Sequence, residues 1–105
     1  MTRIIVLFNL KQGVDQNAYE SWARQNDLPV VNALSSVDKF EVLRSCGLLG
    51  GGDAPYQYIE VLDVKDMSTL GQEIATAKMQ SIAAEFRQFA DNPLFILTES
   101  LSEAQ

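Results

Sequence analysis

Arg3-Ile4-Ile5-Val6-Leu7-Phe8-Asn9-Leu10 is the stretch that decides the fold. Its β-branched and aromatic residues occupy both parities, so a strand here has to be covered on both faces. Ile4, Val6 and Phe8 fall on one side, Ile5 and Leu7 on the other. The same doubling recurs near the other end, where Leu94 and Ile96 alternate with Phe95 and Leu97 in a strand predicted over 94–98. Two double-faced strands in so short a chain need more cover than one layer of helices provides.

Outward from the first strand, Gly13 breaks the chain and Asp15 is an N-cap for a helix. Ala18, Tyr19, Trp22 and Ala23 form its apolar stripe. Pro29 disfavours the helical region for the residue before it, so that helix is expected to end near 26–28, with a short turn of helix restarting over 29–34. Residues 39–48 read as a second strand and 56–64 as a third. Gly50-Gly51-Gly52 lies in the loop of that hairpin, where glycine permits positive φ. Without a following Gly-Lys-Ser/Thr or a helix N-terminus, it is not a phosphate loop. Asp66 caps a brief helix through Ile74. From Thr76 the series Met79, Ile82, Ala83, Phe86, Phe89, Ala90 steps by three and four, the strongest helical signal present. Asp91-Asn92-Pro93 stops it.

The order is β-α-β-β-α-β, an α+β ferredoxin-like arrangement expected as one domain over 1–100 with a polar tail at 101–105. Right-handed crossovers place the first and third strands at the centre of a four-stranded antiparallel sheet with helices on one face. The other face, Ile5 and Leu7 with their neighbours, is then an apolar surface larger than a monomer ordinarily exposes. A second copy, sheet against sheet about a two-fold axis, is the simplest cover and predicts a homodimer with a barrel-like interface.

Composition narrows the function. The 105 residues carry 14 acids against 8 bases, a net charge of −6, and no histidine. The acidic balance argues against nucleic acid and anionic membrane as partners. The absence of histidine removes Ser-His-Asp and Cys-His nucleophile systems and histidine metal sites. No metal or cofactor is expected. The lone Cys46 precludes an internal disulfide and reads as a small buried residue of the second strand. The N-terminal apolar run is too short for a secretory h-region, and no segment approaches a membrane span, so a cytoplasmic location is expected.

Two double-faced strands in this topology resemble the dimeric α/β-barrel superfamily, with its EthD-like proteins, muconolactone isomerases and antibiotic-biosynthesis-type monooxygenases. Phe8-Asn-Leu-Lys11, Tyr19-Glu-Ser-Trp22, Val42-Leu-Arg-Ser-Cys-Gly-Leu-Leu-Gly-Gly51, Pro55-Tyr-Gln-Tyr-Ile-Glu60 and Phe89-Ala-Asp-Asn-Pro-Leu-Phe95 are similar to the REDY-like, or HapK-like, family. That family is named after members in gene clusters for prodiginine pigments. The resemblance implies a small cytoplasmic dimer with a pocket between helices and sheet for a flat apolar, aromatic or pyrrolic molecule. It leaves open whether the protein is an enzyme of cofactor-independent proton transfer, condensation or oxygenation, or a non-catalytic carrier or dimeric accessory protein.

The candidate catalytic residues are Asp27 and Asn9. EthD-like chains resemble Trp…His-x-Pro along the first helix, and here Asp27 stands in the histidine's place, two residues before Pro29. Asp27 is either a general base, if desolvated, or the N-cap of the turn at Pro29. Asn9 resembles by position an asparagine that orients substrate or oxygen in the antibiotic-type monooxygenases, or it ties down the loop after its strand. The candidate ligand-binding residues are Tyr19, Trp22, Arg44, Tyr58, Glu60 and Phe86. The four aromatic ones either wall the cleft or simply fill the core. With residue 48 opposite 56, Arg44 falls opposite Glu60 as a cross-strand ion pair, structural or available to an acidic or phenolic ligand.

Overall fold

The computed structural model describes residues 2–102. Strand β1 (Thr2–Leu10) is followed by helix α1 (Gln16–Trp22), a π-helical turn (Ala23–Asp27) and α2 (Leu28–Asn32). Then come β2 (Val37–Arg44), β3 (Tyr58–Val64), α3 (Met67–Ile74), α4 (Ala77–Phe89) and β4 (Ala90–Glu99). The strands lie antiparallel in the order β2-β3-β1-β4, so β1 and β3 are central as expected of this α+β, ferredoxin-like fold.

The inner face of the sheet is set by parity. Ile4, Val6 and Phe8 of β1 and Tyr58 and Val64 of β3 are buried against Tyr19, Ala23, Val31, Leu70 and Phe86 from the helices. Phe8 is the hub, with ring centroids 5.6 Å from Tyr19, 5.5 Å from Tyr58 and 5.0 Å from Phe86. Caps start the helices where the sequence places them: the Asp15, Asp66 and Thr76 side chains accept from the amides of Ala18, Ser68 and Met79.

The outer face carries Ile5 and Leu7 of β1, Ile59 and Val61 of β3, Leu43 of β2, and Leu94 and Ile96 of β4, neighbours by register. Arg3 and Asp63, 2.6 Å apart, and the Lys39–Glu41 pair border this aliphatic field. No described element covers it, and Leu43, Leu94 and Ile96 are more than 40% exposed.

Four expectations are corrected. The first helix does not end before Pro29; the chain stays helical through Asn32, with Leu28 itself in the α region at φ −60°. The reason is the π turn. Leu28 N–H bonds to the Ala23 carbonyl, one residue further back than in an α-helix. The widened turn makes room for the proline ring and its missing donor. Second, Asp27 makes no capping hydrogen bond, because the π turn runs straight into α2 and Asp27 is itself helical, at φ −62° and ψ −54°. Third, β2 ends at Arg44, not 48, and β3 begins at 58, not 56. The last rung is Ser45 N–H to Gln57 O, 2.8 Å. Beyond it Gly47 takes φ 127°, where a Cβ would meet the Gly52 carbonyl oxygen at 3.1 Å. Cys46 therefore sits exposed in the loop. Fourth, β4 starts directly at Ala90, since Leu10 pairs with Ala90 and Asn9 with Asp91. The predicted tail lies partly outside the described residues.

Candidate functional site

Between the inner sheet face and the helices lies a cavity of about 320 Å³. Ile4, Val6, Phe40 and Leu62 form its floor, and Val31, Leu34, Leu70, Met79, Ile82 and Phe86 its helical walls. Pro93 and Phe95 of β4 close one side. Two carboxyl side chains enter this otherwise greasy space, Asp27 and Glu60, each 5% exposed. Arg87 of α4 is the sole base lining it, and its residue is exposed.

Each carboxyl is placed by a local rule. Tyr19, Ala23 and Asp27 recur at intervals of four, so Asp27 continues the buried stripe of α1 into the π turn. Glu60 shares its parity with Tyr58, Leu62 and Val64, which puts it on the inner face. Its cross-strand neighbours are Val6 and Val42. The expected Arg44–Glu60 pair is thus absent. The register is shifted by one pleat repeat, Arg44 lies opposite Tyr58, and Glu60 has no basic partner beside it.

Burial governs the electrostatics. Desolvation pushes the Asp27 carboxyl up to about 7. It lifts Glu60 well above the usual carboxylate range; the nearby Asp27 charge adds to the rise and the Tyr19 hydroxyl opposes it. Tyr19 is held neutral by burial first and by the Glu60 and Asp27 charges next. Among the described residues, Tyr19 Oη and Glu60 Oε2 are the buried side-chain polar atoms with no hydrogen-bond partner. Such orphans carry an unmet desolvation cost, on the order of 1–3 kcal/mol each. The arrangement can accept or donate a proton near neutral pH and can bind a donor group.

A second, more polar cavity of about 340 Å³ lies on the other side of α1, lined by Tyr19, Glu20, Ala23, Arg24, Leu28, Val42, Leu43, Arg44, Cys46 and Tyr58. Arg44 Nη1 donates to both Glu20 oxygens at 2.8 and 2.9 Å, and Tyr58 Oη donates to Glu20 Oε2 at 2.7 Å. The Tyr58 hydrogen bond, then Arg44, holds the Glu20 carboxyl below the usual range. This cluster is internally matched, so Arg44 ties α1 to β2 rather than presenting a free guanidinium.

The remaining candidates have structural partners. Asn9 donates from Nδ2 to Pro55 O at 3.3 Å and accepts from Gln57 N–H at 2.9 Å, clamping the segment that enters β3 rather than the loop after β1. Trp22 lines neither cavity. Its indole N–H donates to Glu85 at 2.6 Å and its ring lies 5.3 Å from Phe89. Of the eight candidates, the apolar cavity brings together Asp27, Glu60 and Phe86, and the polar one Tyr19, Arg44 and Tyr58. Glu20 was not anticipated. Its signal is weak: a lone carboxylate beside a buried tyrosine on an amphipathic helix.

No match is found among curated proteins. A family profile described as "REDY-like protein HapK" matches residues 2–101. The crystal structure of HapK from Hahella chejuensis superposes with a TM-score of 0.78 at 25% identity, covering 100% of this chain and 97% of that one. An ethyl tert-butyl ether degradation (EthD) family protein from Bacillus halodurans gives 0.76 at 18% identity, covering 96% and 99%. A dimeric ferredoxin-like protein of unknown function from Thermobifida fusca gives 0.70 at 16%, covering 92% and 88%. The last two are alike in fold.

Proposed function

The chain belongs to the REDY-like HapK family, and from that premise we propose a homodimer that binds a small, flat, largely apolar metabolite in the helix–sheet cavity and exchanges a proton with it through Asp27. The observation that carries this reading is a pair of buried carboxyl groups facing a space otherwise lined, Arg87 apart, by apolar side chains. Sites of this make-up bind apolar bodies and orient them by few polar points. A carboxyl with its pKa near 7 is matched to general acid–base work in water-poor surroundings. The family supports an aromatic or pyrrolic ligand of the prodiginine pigment type, and a cytoplasmic role fits the absence of cysteine pairs. The uncovered aliphatic sheet face, with a dimeric structural relative, supports assembly sheet to sheet.

A second reading, a carrier that shields its ligand unchanged, is favoured by one feature: no nucleophile or metal-binding cluster lines the cavity among the described residues. The experiment uses 2,2′-bipyrrole in D2O. Saturable shifts of the Met79 and Ile82 methyl resonances are expected, together with exchange of pyrrole C–H for deuterium. Asp27→Asn should retain the shifts and lose the exchange. Shifts without exchange leave the carrier; unmoved methyl resonances overturn both readings.

A further inference from the structure

The polarity of the ligand can be read from what the cavity leaves unpaired. Glu60 lines the space, and its buried Oε2 has no hydrogen-bond partner, although the Tyr19 hydroxyl lies near enough to act on it. Its neighbours across the sheet, Val6 and Val42, supply none. Asp27 enters from the helical side, near enough for its charge to act on Glu60, and spends its oxygens on no cap. Tyr19, the remaining polar group nearby, has a single hydroxyl proton, which acts on Glu60 while Asp27 reaches it only through its charge. The only base of the lining, Arg87, is exposed, where solvent screens its charge from the interior.

Three kinds of ligand meet this arrangement differently. A neutral hydrocarbon ring fills the volume and leaves the Glu60 oxygen unsatisfied. An acid or phenolate brings a negative charge beside two carboxyl groups whose own ionisation burial already resists. A flat cation with N–H donors offers the orphan oxygen a partner, supplies the counter-charge that lets a buried carboxyl ionise, and still presents an apolar body to Phe86, Ile82 and Met79.

We propose that Glu60 and Asp27 together form a cation-accepting anchor, so that the ligand of this cavity is an aromatic nitrogen base held as its protonated form. This rests on the cavity reading given above and specifies it. It also reverses the expectation that Arg44 would fix an acidic or phenolic ligand, since that guanidinium is already matched by Glu20 on the far side of α1.

Three probes of similar size and different charge test it by isothermal titration at pH 7: 2-aminobenzimidazole, indole and indole-2-carboxylate. The expected order is 2-aminobenzimidazole tighter than indole by about tenfold or more, the worth of one charge-assisted hydrogen bond, with indole-2-carboxylate weakest. Glu60→Gln should abolish the preference of 2-aminobenzimidazole over indole while indole affinity stays within about twofold. Asp27→Asn serves in its place should Glu60→Gln fail to fold, and should reduce the same preference. Equal affinities for the base and indole, or a preference unchanged in the variant, overturn the anchor while leaving an apolar cavity intact. Binding of none of the three overturns the cavity reading and the anchor together.

Discussion

At the scale of single residues, Asp27 is where position and environment diverge most from ordinary behaviour. A carboxyl raised from 3.8 to about 7 on folding keeps a proton that the unfolded chain has already released. The folded state therefore binds more protons between those limits, so this group makes stability fall as pH rises through them and level off above. Asp27→Asn removes the effect. Relative to the native chain, the variant should gain several degrees in Tm at pH 8, and that gain should vanish near pH 4. Thermal melts across that range check it, and a gain independent of pH would mean Asp27 stays solvated. The inward aim of Asp27 was legible in the spacing Tyr19, Ala23, Asp27, but the nearby proline pointed to a cap and masked it. Glu60 was legible as a buried carboxylate by parity alone. Its missing partner was not, because that depends on a hairpin register set by where a glycine-rich loop closes.

At the scale of elements, the sequence marked the four strands by periodicity and three helix starts by Asp15, Asp66 and Thr76, since those caps act locally. It misjudged junctions governed by longer contacts. The π turn exists because tertiary packing of Val31 and Ala23 holds both halves of the helix against the sheet; propensity near a proline says nothing of that. Likewise β2 stops where its ladder runs out, not where apolar residues do. The Arg44–Glu20–Tyr58 cluster docks α1 onto the β2–β3 hairpin. Arg44→Ala should lower Tm by a few degrees, a modest loss because the arginine is more than half exposed. Binding in the apolar cavity should be unaffected. Loss of 2-aminobenzimidazole affinity in that variant would place the polar cavity within the ligand site after all.

At the scale of the whole molecule, the first strand was decisive in both readings: residues with two apolar faces require two covers, and the structure provides helices for one only. Ile96 lies in the uncovered field, 41% exposed beside Ile5. Ile96→Glu should leave the fold intact and weaken self-association by on the order of a hundredfold or more, the cost of an unpaired charge in an apolar contact. Sedimentation equilibrium reads this directly; an unchanged dimer would move the interface elsewhere, and a native monomer would remove it. Cys46 has a consequence of its own. As the one thiol of the sequence, exposed beside the polar cavity, it accepts a single dye per subunit outside the apolar cavity that holds Asp27 and Glu60. Donor- and acceptor-tagged batches, once mixed, would then time how often two copies trade places.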